Sequence, residues 1–160
     1  MTILRIGQGF DTHAFDSPES QRPMWLCCLY WPDITGLAGH SDGDVAAHAL
    51  CDALLGAAGL GDLGSNFGVD RPEFKNASGE TFLGAVRTML SEDGWSVINA
   101  TVSVIGNEPR MGPRYEECRA RLSDLVGAPV AVSATTTDHL GALGRGEGLA
   151  AMATVLLERS

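Results

Sequence analysis

Residues 39–64, GHSDGDVAAHALCDALLGAAGLGDLG, constrain the fold more than any other part of the chain. Small apolar residues recur at every fourth position there, which predicts a helix with a core-facing stripe. These residues are Val45, Ala49, Ala53 and Ala57. Ser41 and Asp42 precede the helix as predicted caps, and Ser41 with Asp44 has the spacing of a variant capping box.

Five apolar or β-branched runs predict strands at residues 3–7, 25–31, 97–105, 130–134 and 149–157. Two more helices are predicted between Ser78 and Gly94 and between Pro113 and Gly127. The resulting order, β-β-α-α-β-α-β-β, is typical of an α+β fold with helices packed on a sheet.

The 160 residues are enough for one domain with a core, and we expect a single domain over residues 1–160. The net charge of −9 argues against nucleic-acid binding. We find neither a signal peptide nor a membrane-spanning run, so we expect a cytoplasmic protein without membrane contact. The four cysteines form no Cys-x-x-Cys pair, and we expect them to be reduced and mostly buried.

Two segments carry candidate metal ligands. Asp11 and His13 follow a Gly-x-Gly turn, and in an extended segment their side chains point to the same side. On the predicted helix, Asp44, His48 and Asp52 are spaced to line one face. Asp11, His13 and His48 together would form the carboxylate and two histidines of a catalytic zinc site with one open position. A solvated helix face and an aspartate that merely caps a turn are the alternatives.

Two other segments have the composition of phosphate-binding loops. Residues 133–148, SATTTDHLGALGRGEG, combine hydroxyls at a strand end with glycines around one arginine, and all of these groups suit phosphoryl oxygens. Strand threonines followed by a flexible loop are the alternative. Residues 106–113, GNEPRMGP, join a strand to a helix, where a phosphate or a base edge can bind.

We find no Gly-x-Ser-x-Gly elbow, Walker loop or dinucleotide fingerprint in the sequence. A metal set with phosphate-binding groups but without a protein nucleophile indicates phosphoryl chemistry in which water or the substrate itself attacks.

The segments together resemble the 2-C-methyl-D-erythritol 2,4-cyclodiphosphate synthase family of the non-mevalonate isoprenoid pathway. RIGQGFDTHAF, the helical segment, ATTTDHLG and GRGEG stand in the family's order and spacing over nearly the whole chain. GVDRP and VIGNEPRMG are most similar to the actinobacterial branch. We therefore expect an α+β, ferredoxin-like sandwich of helices on a mainly antiparallel sheet. The resemblance also implies a homotrimer with each active site between two subunits.

The family is a phosphorus–oxygen lyase that converts 4-diphosphocytidyl-2-C-methyl-D-erythritol 2-phosphate to the 2,4-cyclodiphosphate and CMP. The resemblance implies that Asp11, His13 and His48 hold a zinc or other divalent ion at the β-phosphate. A magnesium or manganese ion would bridge the substrate diphosphate. The substrate's 2-phosphate attacks the β-phosphorus, which explains the missing protein nucleophile. His40 would position that phosphate, and Thr136 would help to polarise the diphosphate, as the two catalytic residues.

The resemblance implies further substrate contacts beside the metal ligands and the two catalytic residues. A mobile loop would contribute to the 2-phosphate site, residues 62–64 to the methylerythritol pocket, and residues 106–112 to the cytidine site. The contacts are Thr12, Ser41, Asp62, Leu63, Gly64, Phe67, Asp70, Gly106, Asn107, Glu108, Pro109, Arg110, Met111, Gly112, Ala134, Thr135, Thr137, Asp138, Ala142 and Arg145. Asp44 and Asp52 are interpreted as structural groups rather than ligands.

The sequence departs from the family pattern at three places. Cys27 and Cys28 stand where the family usually has two glycines, so we expect that strand or its turn to be remodelled. FGVDR replaces the usual FPDTD, so the family's contacts there do not carry over directly to Val69 and Arg71. Arg110 replaces a lysine, which keeps the charge but changes its geometry.

Two alternative functions remain open. A zinc-dependent phosphohydrolase would use water and give a linear product. A non-catalytic binder of nucleotides or isoprenoid diphosphates would need no metal set.

Overall fold

The computed structural model describes residues 1–68 and 70–160. The strands are β1 (Ile3–Ala14), β2 (Met24–Leu26), β3 (Leu29–Trp31), β4 (Ser96–Ile105), β5 (Val130–Thr135) and β6 (Gly148–Arg159). The helices are α1 (Val45–Ala58), α2 (Leu63–Phe67), α3 (Gly79–Glu92), α4 (Tyr115–Val126) and α5 (Gly141–Gly144). Among these described residues, no helix is both long and apolar enough to cross a bilayer.

Four strands form one mixed sheet in the order β1-β6-β4-β5. β6 is antiparallel to β1 and to β4, whereas β4 and β5 run parallel because α4 connects them as a crossover. The predicted α+β class with a mainly antiparallel sheet is therefore confirmed. A ferredoxin-like sandwich has the order β-α-β-β-α-β, whereas the sheet strands and long helices here follow β-α-α-β-α-β-β. That part of the prediction is wrong, because apolar runs locate strands without specifying their partners.

Helix α1 packs closely on β1. Gly7 and Gly9 of β1 face alanines of the helix. A Cβ added at Gly9 would lie 2.0 Å from the Ala49 carbonyl oxygen. We predicted a turn at these glycines, but β1 continues through them and pairs with β6 along its whole length. Their lack of a side chain serves the approach of the helix rather than a turn.

The predicted stripe of α1 is buried, as expected, but the cap prediction needs correction. Asp44 is the N-cap, and its carboxylate accepts N–H bonds from Ala46 and Ala47. On the second face, Asp44 and His48 are buried and Asp52 is half-buried, and Phe82 of α3 packs against the His48 ring. Most of α1 is therefore buried, and Gly56 is its exposed position.

Residues 25–31 form a hairpin instead of one strand. Cys27 and Cys28 are its two-residue turn, and both have φ of 56°. Positive φ at both positions is the type I′ geometry, which explains why glycines suit these sites. The Asp44 carboxylate accepts the N–H of Cys27 at 3.1 Å and that of Cys28 at 2.6 Å, so the turn is tied to the start of α1. All four cysteines are free and buried, as predicted.

Candidate active site

Three candidate metal ligands meet between β1 and α1. Asp11 and His13 alternate on the strand and point towards the helix, where the second turn places His48. Asp11 Oδ2 lies 3.2 Å from His13 Nε2 and 3.0 Å from His48 Nδ1. One ligand atom from each residue lies within 4.8 Å of the others. The fold therefore brings a carboxylate and two imidazoles to one point.

Each histidine has its other ring nitrogen engaged. His13 Nδ1 lies 2.6 Å from the Ala38 carbonyl oxygen, to which it can only donate. His48 Nε2 lies 3.2 Å from Ser41 Oγ. Contacts of this kind fix the orientation of each ring and direct its other nitrogen towards Asp11, where a metal would bind. The donor set and its outer contacts fit a divalent ion of the zinc type.

The Asp11 carboxylate of this cluster suits a cation, whereas the two histidines must lose any extra proton before they can bind a metal. Burial alone would raise the pKa of the Asp11 carboxyl, but hydrogen bonds from His13 and His48 outweigh it and the net shift is downward. The same bond to Asp11 raises the pKa of His13. Asp11 is thus held as a carboxylate, the form that binds a metal.

A cavity of about 340 Å³ opens beside the cluster. Predicted substrate residues contribute much of its wall, from the loop before α1 and from α2. The lining residues are Asp11, His13, His40, Ser41, His48, Asp52, Leu63, Gly64, Phe67, Gly68 and Phe82. Asp52, Gly68 and Phe82 were not predicted to contact substrate. An inward aromatic residue on a helix has the same sequence pattern whether it fills the core or lines a cavity, so no pattern distinguishes Phe82 as a cavity residue.

The aspartates on or beside α1 have structural contacts. Asp52 Oδ1 accepts the Leu63 N–H at 2.8 Å and so attaches α2 to α1. Burial is the main cause that raises the pKa of Asp52. Asp62 caps α2 by accepting the Ser65 N–H at 2.7 Å, and it is absent from the cavity wall although it was predicted to line the pocket. Leu63 and Gly64, which follow Asp62 in the chain, line the cavity instead.

Other predicted contacts lie elsewhere. Thr12 Oγ1 donates to the Leu149 carbonyl at 3.0 Å, on the opposite side of β1 from Asp11 and His13. Asp70 is exposed and outside the cavity wall. Val69, where the family contact did not carry over directly, lies outside the described residues.

The remaining predicted residues form a second group at the same end of the sheet. The group joins the loops after β4 and β5, because the Gly106 N–H donates to the Thr135 carbonyl at 3.0 Å and Asn107 Nδ2 donates to the Gly144 carbonyl at 3.1 Å. Its members are Gly106, Asn107, Glu108, Pro109, Arg110, Met111, Gly112, Ala134, Thr135, Thr136, Thr137, Asp138, Ala142 and Arg145.

The two groups are separated within one chain. Asp11 pairs with Ala151, which pairs with Val104, which in turn pairs with Ala134. Three strand spacings place the two ends of this row about 14 Å apart. Asp11 and Ala134 therefore lie on opposite edge strands of the sheet, and no sequence pattern reports that separation.

Comparison with known proteins places this site in a family. The model of the YgbB family matches residues 4–158. The chain belongs to the YgbB family. This YgbB-family chain is 51% identical over 160 residues to the 2-C-methyl-D-erythritol 2,4-cyclodiphosphate synthase of Cutibacterium acnes, covering 99% of this chain and 94% of that one. The resemblance inferred from the motifs is thereby confirmed.

Two further relatives define its extent. The chain is 51% identical over 156 residues to the bifunctional enzyme IspD/IspF of Clavibacter michiganensis subsp. michiganensis, covering 98% of this chain but only 37% of that protein. A solved structure of 2C-methyl-D-erythritol-2,4-cyclodiphosphate synthase in a CDP-bound form is 34% identical with a TM-score of 0.86, covering 96% of this chain and 99% of that one. The chain thus corresponds to a whole synthase in some relatives and to about a third of a longer protein in another.

Proposed function

We propose that this YgbB-family chain is a phosphorus–oxygen lyase that converts 4-diphosphocytidyl-2-C-methyl-D-erythritol 2-phosphate to 2-C-methyl-D-erythritol 2,4-cyclodiphosphate and CMP. The observation that carries the proposal is the convergence of Asp11, His13 and His48 on the wall of the 340 Å³ cavity. Relatives of the same length that are named for this synthase support the substrate.

In this proposal Asp11, His13 and His48 hold a zinc or other divalent ion, which when bound supplies Lewis-acid stabilisation for phosphate oxygens. A magnesium or manganese ion would be held largely by the substrate diphosphate. His40 and Ser41 line the cavity next to the ligands and would hold the 2-phosphate in line for attack. The apolar walls at Leu63 and Phe67 would receive the methylerythritol carbons.

The hydrogen bond between Ser41 and His48 argues against Ser41 as a nucleophile. Ser41, His48 and Asp11 have the connectivity of a Ser-His-Asp nucleophile site. When Nδ1 of His48 serves as a metal ligand, however, the ring proton resides on Nε2 and points at Ser41 Oγ. His48 then donates to Ser41 and cannot accept its proton. Ser41 is thereby excluded as the nucleophile and left as a phosphate-binding group, and we propose that the 2-phosphate rather than water attacks.

We propose further that the active protein is a homotrimer with sites shared between subunits. The loops after β4 and β5 would hold cytidine and diphosphate, with Thr136 at the phosphates, yet they lie about three strands from the metal ligands. The sheet face without helices carries exposed apolar residues, such as Ile6 at 76% and Phe10 at 57% exposure. Packing copies through this face would cover those residues and bring one copy's loops to the next copy's cavity.

The remaining assignments follow from the same chain. We place the protein in the cytoplasm, which its four buried free cysteines support, and we treat residues 1–160 as one synthase domain. The net charge of −9 supports a small-molecule substrate rather than nucleic acid.

Phosphorus NMR of the purified protein with the cytidyl substrate, zinc and magnesium tests the reaction. The expected result is release of CMP together with two coupled signals of a cyclic diphosphate. CMP with a linear bisphosphate would show that water attacks, and the phosphohydrolase alternative would replace the proposal. Nucleotide binding without turnover in the metal-loaded protein would favour the non-catalytic binder.

A further inference from the structure

Arg22 contacts the loop that forms part of the wall of the 340 Å³ cavity, although Arg22 is not itself in that wall. Five other arginines form ion pairs with carboxylates, for example Arg114 with Glu117 at 2.6 Å. Among residues 1–68 and 70–160, no carboxylate lies within ion-pair distance of the half-buried Arg22 guanidinium. Arg22 instead donates from Nη2 to the backbone carbonyl of Ser41. The Arg22 guanidinium thus binds the backbone of the loop that carries Ser41 in the candidate site.

The loop that Arg22 contacts carries His40 and Ser41. Backbone bonds hold its other side, because the Asn76 N–H donates to the His40 carbonyl at 3.1 Å and the Asp42 N–H donates to the Ala77 carbonyl at 3.2 Å. On the side that faces Arg22, the guanidinium donates a hydrogen bond to the Ser41 backbone carbonyl. The Ser41 carbonyl therefore accepts a charge-assisted hydrogen bond from Nη2 of Arg22.

Ser41 connects Arg22 to the chemistry. Its Oγ lies 3.2 Å from His48 Nε2, and its residue lines both the 340 Å³ cavity and a second cavity of about 240 Å³ that Arg22 and Asp42 also line. The wall of the first cavity contains the carboxylates Asp11 and Asp52 but no lysine or arginine among the described residues. A phosphate entering there meets no lysine or arginine of that wall, and Arg22 acts on it only through this loop.

We propose that Arg22 is a positioning residue for the substrate's free phosphate. It holds Ser41, and with it His40, in the geometry that receives this phosphate. The inference rests on the proposed function, because it assigns Arg22 to the 2-phosphate end of that substrate.

The test compares Arg22→Gln and Arg22→Lys with the control Arg87→Gln. Arg87 also donates to backbone carbonyls, those of Asp124 and Leu125 at 3.4 Å, but it joins α3 to α4 and, unlike Arg22, does not line the 240 Å³ cavity. We expect Arg22→Gln to raise KM about tenfold with a smaller change in kcat, because a charge-assisted hydrogen bond to the loop is lost. Arg22→Lys should recover part of the loss, and Arg87→Gln should leave KM unchanged.

Two binding measurements separate positioning from a general structural effect. Affinity for zinc and for CDP, which lacks the 2-phosphate, should be the same in Arg22→Gln as in the unmodified protein. In the double variant Arg22→Gln/Ser41→Ala, the fold-loss in kcat/KM should be much smaller than the product of the fold-losses in the two single variants. The reason is that both substitutions act through one loop. Multiplicative effects, an unchanged KM in Arg22→Gln, or equal losses in the Arg87→Gln control would overturn the inference.

Calorimetric binding of the unreacted substrate separates this inference from the proposed function. If the unmodified protein binds the substrate but yields no cyclic product, the proposed function fails and Arg22→Gln must still weaken binding about tenfold. Normal turnover with equal substrate affinity in both proteins overturns only the role of Arg22. Absence of substrate binding by the unmodified protein overturns both. If Arg22→Gln does not fold, Arg22→Lys provides the same comparison.

Discussion

The close approach of α1 to β1 makes Gly9→Ala a sharp test of how the fold holds the metal ligands. The added Cβ would lie 2.0 Å from the Ala49 carbonyl oxygen and 2.7 Å from the Ala53 nitrogen, whereas ordinary contact begins at 3.4 Å. Both obstacles are backbone atoms of a buried helix and cannot rotate away. The helix must therefore withdraw from the strand by more than about 1 Å, which spreads a tightly packed layer.

We expect Gly9→Ala to lower the free energy of unfolding by about 3 kcal/mol, at the upper end for overpacked cores, because the obstacles are backbone. The same displacement separates the metal ligands, since Asp11 follows Gly9 on β1 and His48 belongs to α1. Zinc affinity should fall by about tenfold or more, as it does when groups that orient ligands are disturbed.

Gly56→Ala is the matched control because Gly56 lies on the exposed side of the same helix and nothing stands within 4 Å of an added Cβ. This variant should gain about 0.5–1 kcal/mol from helix propensity and bind zinc normally. Urea unfolding at one fixed protein concentration and competition with a chromogenic chelator measure the two quantities. Unchanged stability of Gly9→Ala, or lost stability with full zinc affinity, would refute the proposed coupling between helix approach and ligand geometry.

Three other predictions test the site and the core. His48→Ala should bind no zinc and show no turnover while keeping its circular dichroism spectrum, whereas His139→Ala, at an exposed position away from the metal ligands, should still bind zinc; a zinc-binding His48→Ala would disprove the ligand assignment. Thr136→Ala should slow turnover by about 10–100-fold and weaken CMP binding much less, and equal losses in both would argue against a role confined to the transition state. A thiol reagent should modify none of the four cysteines quickly in the native protein and all four in guanidinium, because none is more than 7% exposed; rapid reaction of any one would contradict the buried arrangement.

The part of the site that depends on local pattern could be predicted from the sequence. Asp11 and His13 share a face because a strand alternates, and the spacing of small residues places His48 on a helix. The length of β1 could not be predicted, because a glycine such as Gly9 is typical both of a turn and of a strand position that a helix approaches closely. The hairpin at Cys27 was also missed, since a cysteine with positive φ carries no turn pattern of its own.

The separation of the metal ligands from the loops after β4 and β5 has a genetic consequence if the proposed trimer forms. A subunit with a defective metal set would still lend intact loops to its neighbour, and a subunit with defective loops would still offer an intact metal set. Co-assembly of inactive His48→Ala chains with inactive Thr136→Ala chains should then restore activity in about a quarter of the sites, because random mixing pairs the two intact halves there. A chain with damaged metal ligands and a chain with damaged loops would thus complement each other in trans.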